Sequence, residues 1–316
     1  MSKRMKHELL ALETSSDIVS FNKLFRIIFR MKWFIVFTTF TFAAGSVYIA
    51  KNMPNVYTAK GIFVPADAKS AGGLSQLAGQ FGGLASMAGI NIGGGKGDDN
   101  AVALELLKSR SFLQAFIKKH GLLPQLLAAK NWDETTNTLI FDETLYSVEH
   151  KKWVRGAPPG KKVTPTPWEG YDKLLSLIKA DYVSKKGFIK ISVTYLSPEI
   201  AAEWLTLLVE DLNLYWRLQD KKQAQDSINY LQKQVEQTNN SEMQSIFYSI
   251  IAEQTQTMLL TEVRKEYLFK TLAPIVTPEQ KSAPSRALLC AVGTFFGGLL
   301  SLIISFIYAS ARPEKN

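Results

Sequence analysis

Two long stretches without a charged residue, one near each end of the chain, constrain its fold more than any other feature. The first runs from Trp33 to Ala50 and the second from Ala287 to Ala311, and basic residues bracket both. A hydrocarbon core about 30 Å thick needs roughly 20 helical residues to cross it. The sequence therefore predicts two transmembrane helices, covering residues 33–50 and 287–311.

The first stretch has two alternative interpretations, a buried core helix and a cleaved signal peptide. The segment that precedes it is 32 residues long, and no small-residue cleavage site follows. A signal peptide has a much shorter charged segment before its apolar region. We therefore interpret this stretch as a retained anchor.

Basic residues close to the two stretches predict the orientation of the chain. Arg312 and Lys315 follow the second stretch, and basic residues outnumber acidic ones before the first: Lys3, Arg4, Lys6, Lys23, Arg26, Arg30 and Lys32. Cytoplasmic segments carry such an excess. We expect residues 1–32 to form a cytoplasmic N-terminal segment, 312–316 a cytoplasmic tail, and 51–286 an external domain.

The sequence contains few patterns that are typical of catalytic, cofactor-binding or metal-binding sites. The only cysteine, Cys290, lies inside the second apolar stretch, and the three histidines have no metal-ligand spacing. A Gly-rich string at 93–97 fails as a phosphate-binding loop, because Ile90 stands where glycine is required and Gly97 where Ser or Thr is required. We expect no catalytic, cofactor-binding or metal-binding residues.

The net charge of +9 is spread along the chain, so nucleic acid is not an expected partner.

The first part of the external domain mixes strand and helix patterns. Apolar alternation predicts strands at 57–64 and 188–195. A helix is predicted from 98–100 through Lys119, with Val102 and Ser109 on its apolar face, and another from Trp168 to Ala180. The glycine-rich stretch 72–97 is either a simple mobile loop or a functional flexible loop, near the membrane or at a subunit contact. The basic segment 151–155 is either a solvated loop or a contact for anionic sugar or phosphate.

A long helix dominates the rest of the external domain. Ser197 and Pro198 begin it as N-cap and first residue, and no breaker follows before Gln237. Its later half carries a narrow apolar seam: Ala224, Ile228, Leu231 and Val235. A capping box at Ser241 and Gln244 predicts a second helix to Lys265, antiparallel to the first. A returning strand is predicted at 267–272.

Residues just before and inside the second apolar stretch are the candidate assembly and functional residues. Prolines in the approach stiffen the chain, and a G-x-x-x-G inside the helix lets two backbones approach closely. The partner could be the first helix or a neighbouring subunit, and lipid-facing glycines are the alternative. The candidates are Pro274, Pro278, Pro284, Gly293 and Gly297.

These features together resemble the Wzz-type polysaccharide co-polymerases, the chain-length determinants of bacterial surface polysaccharide such as lipopolysaccharide O-antigen. The prolines before the second helix, its small residues and the string 83–91 carry the resemblance. It implies an α+β periplasmic domain with a membrane-proximal α/β base (51–196 and 266–286). A long protruding helical hairpin (197–265) and two transmembrane helices complete the implied fold.

The resemblance also implies what the chain does. It implies a non-catalytic, ring-like homo-oligomer in the bacterial inner membrane that works with the O-antigen polymerase on lipid-linked polysaccharide. The cytoplasmic tyrosine-kinase domain of some relatives is not expected here. The alternatives are a structural subunit of a polysaccharide export complex and a two-span periplasmic ligand sensor.

Overall fold

The computed structural model describes Phe29 and residues 31–66, 96–183 and 187–311. Most of the glycine-rich stretch, the string 83–91 and the N-terminal basic segment lie outside the described residues. The chain divides into two compact units, Met1–Met53 with Ala283–Asn316, and Pro54–Ser282. Each unit is described by itself below.

Helices and strands follow one another in an order typical of a mixed α+β chain. They are α1 (Lys32–Asn52), β1 (Tyr57–Pro65), α2 (Lys96–Lys108), α3 (Arg110–His120), α4 (Leu123–Ala128), β2 (Ala129–Asp133), β3 (Thr138–Phe141), β4 (Tyr146–Ser147), β5 (Lys152–Trp153), α5 (Pro167–Leu177), β6 (Ile178–Val183), β7 (Phe188–Tyr195), α6 (Pro198–Gln237), α7 (Ser241–Val263), β8 (Phe269–Ala273) and α8 (Arg286–Ala311).

An antiparallel sheet of four strands, in the order β6-β7-β1-β8, forms the centre of the unit Pro54–Ser282. Ala59 pairs with Val193 and Phe63 with Ile189, so their side chains share one buried face. Gly61 lies on that face, and a Cβ there would sit 2.5 Å from Cζ of Phe63. Glycine at 61 therefore gives the Phe63 ring the space that it occupies.

Helices cover the buried face of the sheet. Side chains from α2, α3, α5 and the first half of α6 form one apolar cluster with the strands, including Leu107, Phe116, Leu174, Trp204 and Leu208. Burying one face of a sheet against helices gives the two-layer arrangement of α+β domains. The predicted α+β fold class with a long helical hairpin is confirmed.

The predicted helix from 98–100 to Lys119 is wrong in one respect, because it is two helices. Ser109 has an extended backbone, and its hydroxyl accepts a hydrogen bond from Phe112 N at 3.3 Å. Capping satisfies an amide that otherwise has no partner at a helix start. Ser109 thus begins α3 instead of filling a gap, and Val102, predicted to be inside, is exposed.

The predicted helix from Trp168 to Ala180 is too long. It ends at Leu177, and β6 follows without an intervening loop. Ile178 pairs with Val193 and Ala180 with Ile191. The segment that begins at Ile178 is therefore a strand, which was not predicted from the sequence. The hairpin of β2 and β3 was also missed.

The helical hairpin closely follows its prediction. Ser197 caps α6, whose 40 residues extend for about 60 Å, and α7 packs against its second half. The cap of α7 is Asn240 and not Ser241, because Oδ1 of Asn240 accepts from the amides of Glu242 and Met243. Nε2 of Gln244 instead donates to the carbonyl of Thr238 at 2.7 Å.

One buried side chain ties α6 to the returning strand. Oδ1 of Asn213 accepts from Leu268 N at 2.7 Å and Phe269 N at 2.9 Å, while its Nδ2 donates to the carbonyl of Phe269 at 3.2 Å. The amide of Asn213 therefore pairs with the backbone as a neighbouring strand would. β8 is fixed to the middle of α6 by this contact.

Candidate functional site: the paired terminal helices

The terminal unit consists of α1 and α8 packed along their length. Both helices are long and apolar enough to cross a membrane. Gly293 faces Ser46, and Gly297 faces Phe42, four residues earlier in α1. Residue numbers rise in one helix as they fall in the other, so the pair is antiparallel.

Two glycines make this pairing close. A Cβ added to Gly293 would lie 2.5 Å from Cβ of Ser46, and one added to Gly297 would lie 2.5 Å from Cβ of Phe42. Distances below 3 Å require the neighbouring helix to shift. Within this chain, the partner of the G-x-x-x-G is therefore the first helix.

Other glycines in the two helices do not make such contacts. A Cβ on Gly298 would meet Oγ1 of Thr39 at 3.8 Å, an ordinary contact, and one on Gly45 would meet none of the described residues within 4 Å. These two positions are internal references for the effect of an added methyl group.

The close-packed face of α8 continues beyond the glycines. Ser301 and Ser305 follow Gly297 at four-residue intervals, and both side chains are buried. The Ser301 hydroxyl donates to the carbonyl of Gly298 at 2.7 Å, whereas Ser305 Oγ has no hydrogen-bond partner among the described residues. These serines were not predicted from the sequence, although their spacing from Gly293 was a visible signal.

The candidate prolines do not join the glycines in this site. Pro274 is exposed directly after β8, Pro278 is half-buried in the following irregular segment, and both belong to the unit Pro54–Ser282. Pro284 is half-buried and precedes α8. The segment between β8 and α8 contains no helix, in agreement with the expected extended approach.

The basic loop is held by an internal ion pair. Nη1 and Nη2 of Arg155 donate to the two carboxylate oxygens of Glu169 at 2.9 and 3.1 Å, and Nε donates to the carbonyl of Val163 at 2.8 Å. The hydrogen bonds from Arg155 lower the pKa of the Glu169 carboxyl. Arg155 is thus engaged within the loop, which removes one cation from the possible contact with anionic sugar.

The described residues contain no cluster of three or more side chains that could hold a metal ion. Cys290 is half-buried in α8. What this unit offers is close packing between two helices of one chain.

Two solved structures resemble the chain distantly. A full-length bacterial polysaccharide co-polymerase is 13% identical, with 93% of this chain and 98% of that chain covered and a TM-score of 0.34. A fragment of the polysaccharide co-polymerase WzzB from Salmonella Typhimurium is 15% identical, with 72% and 100% covered and a TM-score of 0.29. At these TM-scores the whole chains do not superpose closely. No curated protein sequence matches significantly.

A family comparison matches the part of the chain that includes α1 and β1. Residues 17–120, about a third of the sequence, match the family described as chain length determinant protein, Wzz. This range contains the first apolar stretch, the strand after it and the string 83–91. The resemblance to the Wzz-type polysaccharide co-polymerases that the sequence predicts is confirmed by this match.

Proposed function

We propose that this protein is a non-catalytic regulator of the chain length of a surface polysaccharide, such as lipopolysaccharide O-antigen. The observation that carries the proposal is the match of residues 17–120 to the chain length determinant family. In this role the chain acts in the bacterial inner membrane as a ring-like homo-oligomer. Its partners are the polysaccharide polymerase and lipid-linked polysaccharide.

The antiparallel pair of α1 and α8 supports the topology that this function requires. Two antiparallel helices that both cross a membrane leave their outer ends on the same side. Together with the basic residues before α1 and after α8, this pairing favours cytoplasmic termini and a periplasmic domain at 51–286. The α+β base would then adjoin the membrane, with the α6–α7 hairpin protruding from it.

The proposed mechanism is that the oligomer controls how long a growing polymer stays with the polymerase. Gly293 and Gly297 hold the membrane helices at a fixed separation, and Pro274, Pro278 and Pro284 stiffen the approach to α8. Subunits would pack through surfaces set by this rigid helix pair.

Deletion of the gene tests the function. Loss of a chain-length regulator leaves the polymer present, but its modal length disappears from a gel ladder. Loss of an export subunit would abolish surface polymer, and loss of a sensor would leave the ladder unchanged. Either of those two results rejects the proposal.

Glycine variants test the role of the helix pair. Gly293→Leu and Gly297→Leu force the two helices apart, so we expect a shifted modal length or an altered subunit number. Gly298→Ala and Gly45→Ala add a methyl group without a close contact and should retain the wild-type ladder. A wild-type ladder from normally inserted Gly293→Leu and Gly297→Leu proteins would show that helix packing plays no part.

A further inference from the structure

A cleft in the α+β domain has a lining that the chain-length function does not explain. It measures about 340 Å³ and lies between α5, α4 and the segments around β4 and β5. Two tryptophans and four charged side chains are part of its lining: Trp153, Trp168, Arg155, Lys161, Glu169 and Asp172. Its size is at the lower end of the range of about 300–1,000 Å³ found for small-molecule sites.

The two indole rings are held in place by neighbouring side chains. Trp153 meets the ring of Tyr146 edge to face at 5.2 Å, and the Arg155 guanidinium lies 5.9 Å from its centroid. The Arg110 guanidinium lies 3.9 Å from the centroid of the Trp168 ring. Trp168 nevertheless remains 60% exposed at the cleft. A large aromatic surface is thus kept accessible to a ligand at little cost in side-chain entropy.

Each cation at the cleft is already paired with a carboxylate. Arg155 and Lys161 both contact Glu169, and Arg110, which lies on the Trp168 ring, contacts Asp172. The Arg155–Glu169 pair is mostly buried. Lys161 Nζ lies 3.6 Å from the Glu169 carboxylate, while the Asp172 side chain is exposed and lies 3.7 Å from Arg110. A phosphate or a uronic acid would need a cation that is not already paired. A neutral ligand with many hydroxyl groups fits this set of donors and acceptors better.

We propose that this cleft binds a neutral sugar unit of the polysaccharide, with one face of the ring on the indoles of Trp153 and Trp168. A pyranose ring has C–H groups on its faces, which pack on aromatic rings, and hydroxyl groups at its edge. These hydroxyls donate to the exposed carboxylate of Asp172 and accept from the ammonium of Lys161. The inference rests on the proposed function, since the polymer supplies the sugar.

Saturation-transfer NMR on the full chain in lipid nanodiscs tests the cleft. The probe is oligosaccharide released by mild acid from the surface polymer of a strain that carries this protein. We expect binding to the wild type and about tenfold weaker binding to Trp168→Ala and Trp153→Ala, the loss of one aromatic contact. Inorganic phosphate and methyl β-D-glucuronide should not compete with the probe.

Three further variants separate recognition from folding. Tyr248→Ala, on α7, removes an aromatic side chain of matched exposure, 59%, and should bind as the wild type does. Trp168→Phe keeps a smaller ring and should bind with intermediate affinity. Asp172→Ala removes an exposed carboxylate and its 3.7 Å ion pair with Arg110, so it should weaken binding in a folded protein. Unchanged binding in Trp168→Ala and Asp172→Ala overturns the proposal, as does competition by phosphate or glucuronide.

The gel ladder then distinguishes failure of the cleft from failure of the function. Loss of modal length on gene deletion, with a wild-type ladder and unchanged sugar binding in Trp168→Ala, rejects the cleft and leaves the function standing. An unchanged ladder on deletion rejects the function itself. Altered modal length in Trp168→Ala, but not in Tyr248→Ala, supports both.

Discussion

The two halves of α6 belong to one uninterrupted helix, yet they are held in different ways. From Pro198 to Asn213 the helix packs on the sheet, and Trp204, Leu205 and Leu208 are buried in the main core. From Asp220 to Gln237, all of which the structure describes, only Ala224 and Ile228 are buried, and the partner is α7. Helical continuity therefore does not imply uniform stability, because local opening depends on buried contacts.

The largest expected effect lies in the first half. Trp204→Ala removes a fully buried indole and should lower the free energy of unfolding by about 3–5 kcal/mol. Tyr230→Ala, at an exposed site in the second half, should change it by about 0.5 kcal/mol or less. Denaturant unfolding of the full chain, followed by circular dichroism, measures both. Similar losses in the two variants would contradict the contrast between the halves.

A smaller effect is expected at the seam between α6 and α7. Ile228→Ala should cost about 2 kcal/mol, the lower end for such a truncation, because the seam has few other buried neighbours. Amide hydrogen exchange should rise in α7 and in the second half of α6, while the first half stays protected. Leu218→Ala, at an exposed position of the same helix, is the control. Equal loss of protection around Trp204 would show that α6 opens as one unit.

The smallest expected effect is electrostatic. Burial raises the pKa of Glu253 on α7, and its Oε2 has no hydrogen-bond partner among the described residues. A raised folded-state pKa contributes stability below the ordinary value of about 4.3 and loses it as pH rises through the folded value. Glu253→Gln should therefore slow amide exchange in α7 at neutral pH and flatten its pH dependence.

A second glutamate on the same helix provides a control, because its pKa is shifted in the opposite direction. The hydrogen bond from Lys221 lowers the pKa of Glu262, so the charged form of that group is favoured. Glu262→Gln should speed exchange in α7 at neutral pH. Faster exchange in both variants would contradict the assignment of Glu253 as a destabilising charge.

Sequence patterns predicted the first residue of α6, because Ser197 and Pro198 form a strong local start signal. They did not predict β6, since the segment from Ile178 follows α5 directly and becomes a strand only by pairing with β7. The position of Ser109 in the sequence is compatible with the interior of one long helix and with the N-cap of a second helix. Only the packing of α3 decides between these two structures. Local signals were thus sufficient where no distant partner was needed.

For the paired terminal helices too, the sequence predicted a local feature but not its distant partner. Gly293 and Gly297 were identified from their spacing alone. Their partners Phe42 and Ser46 were not, because α1 offers several small or polar positions and the choice depends on how the two helices face each other. The cleft with Trp153 and Trp168 was missed for a similar reason, since α5 and β5 meet only in the folded domain.

The amide of Asn213 gives the domain a mechanical connection. Its three hydrogen bonds lie where the densely packed half of α6 ends, and they hold the strand from which the chain continues toward α8. A displacement of α6 can therefore reach β8 directly through the Asn213 side chain, without passing through α7 and the turn that follows it. Asn213 thus couples the position of the β8 strand to that of the α6 helix.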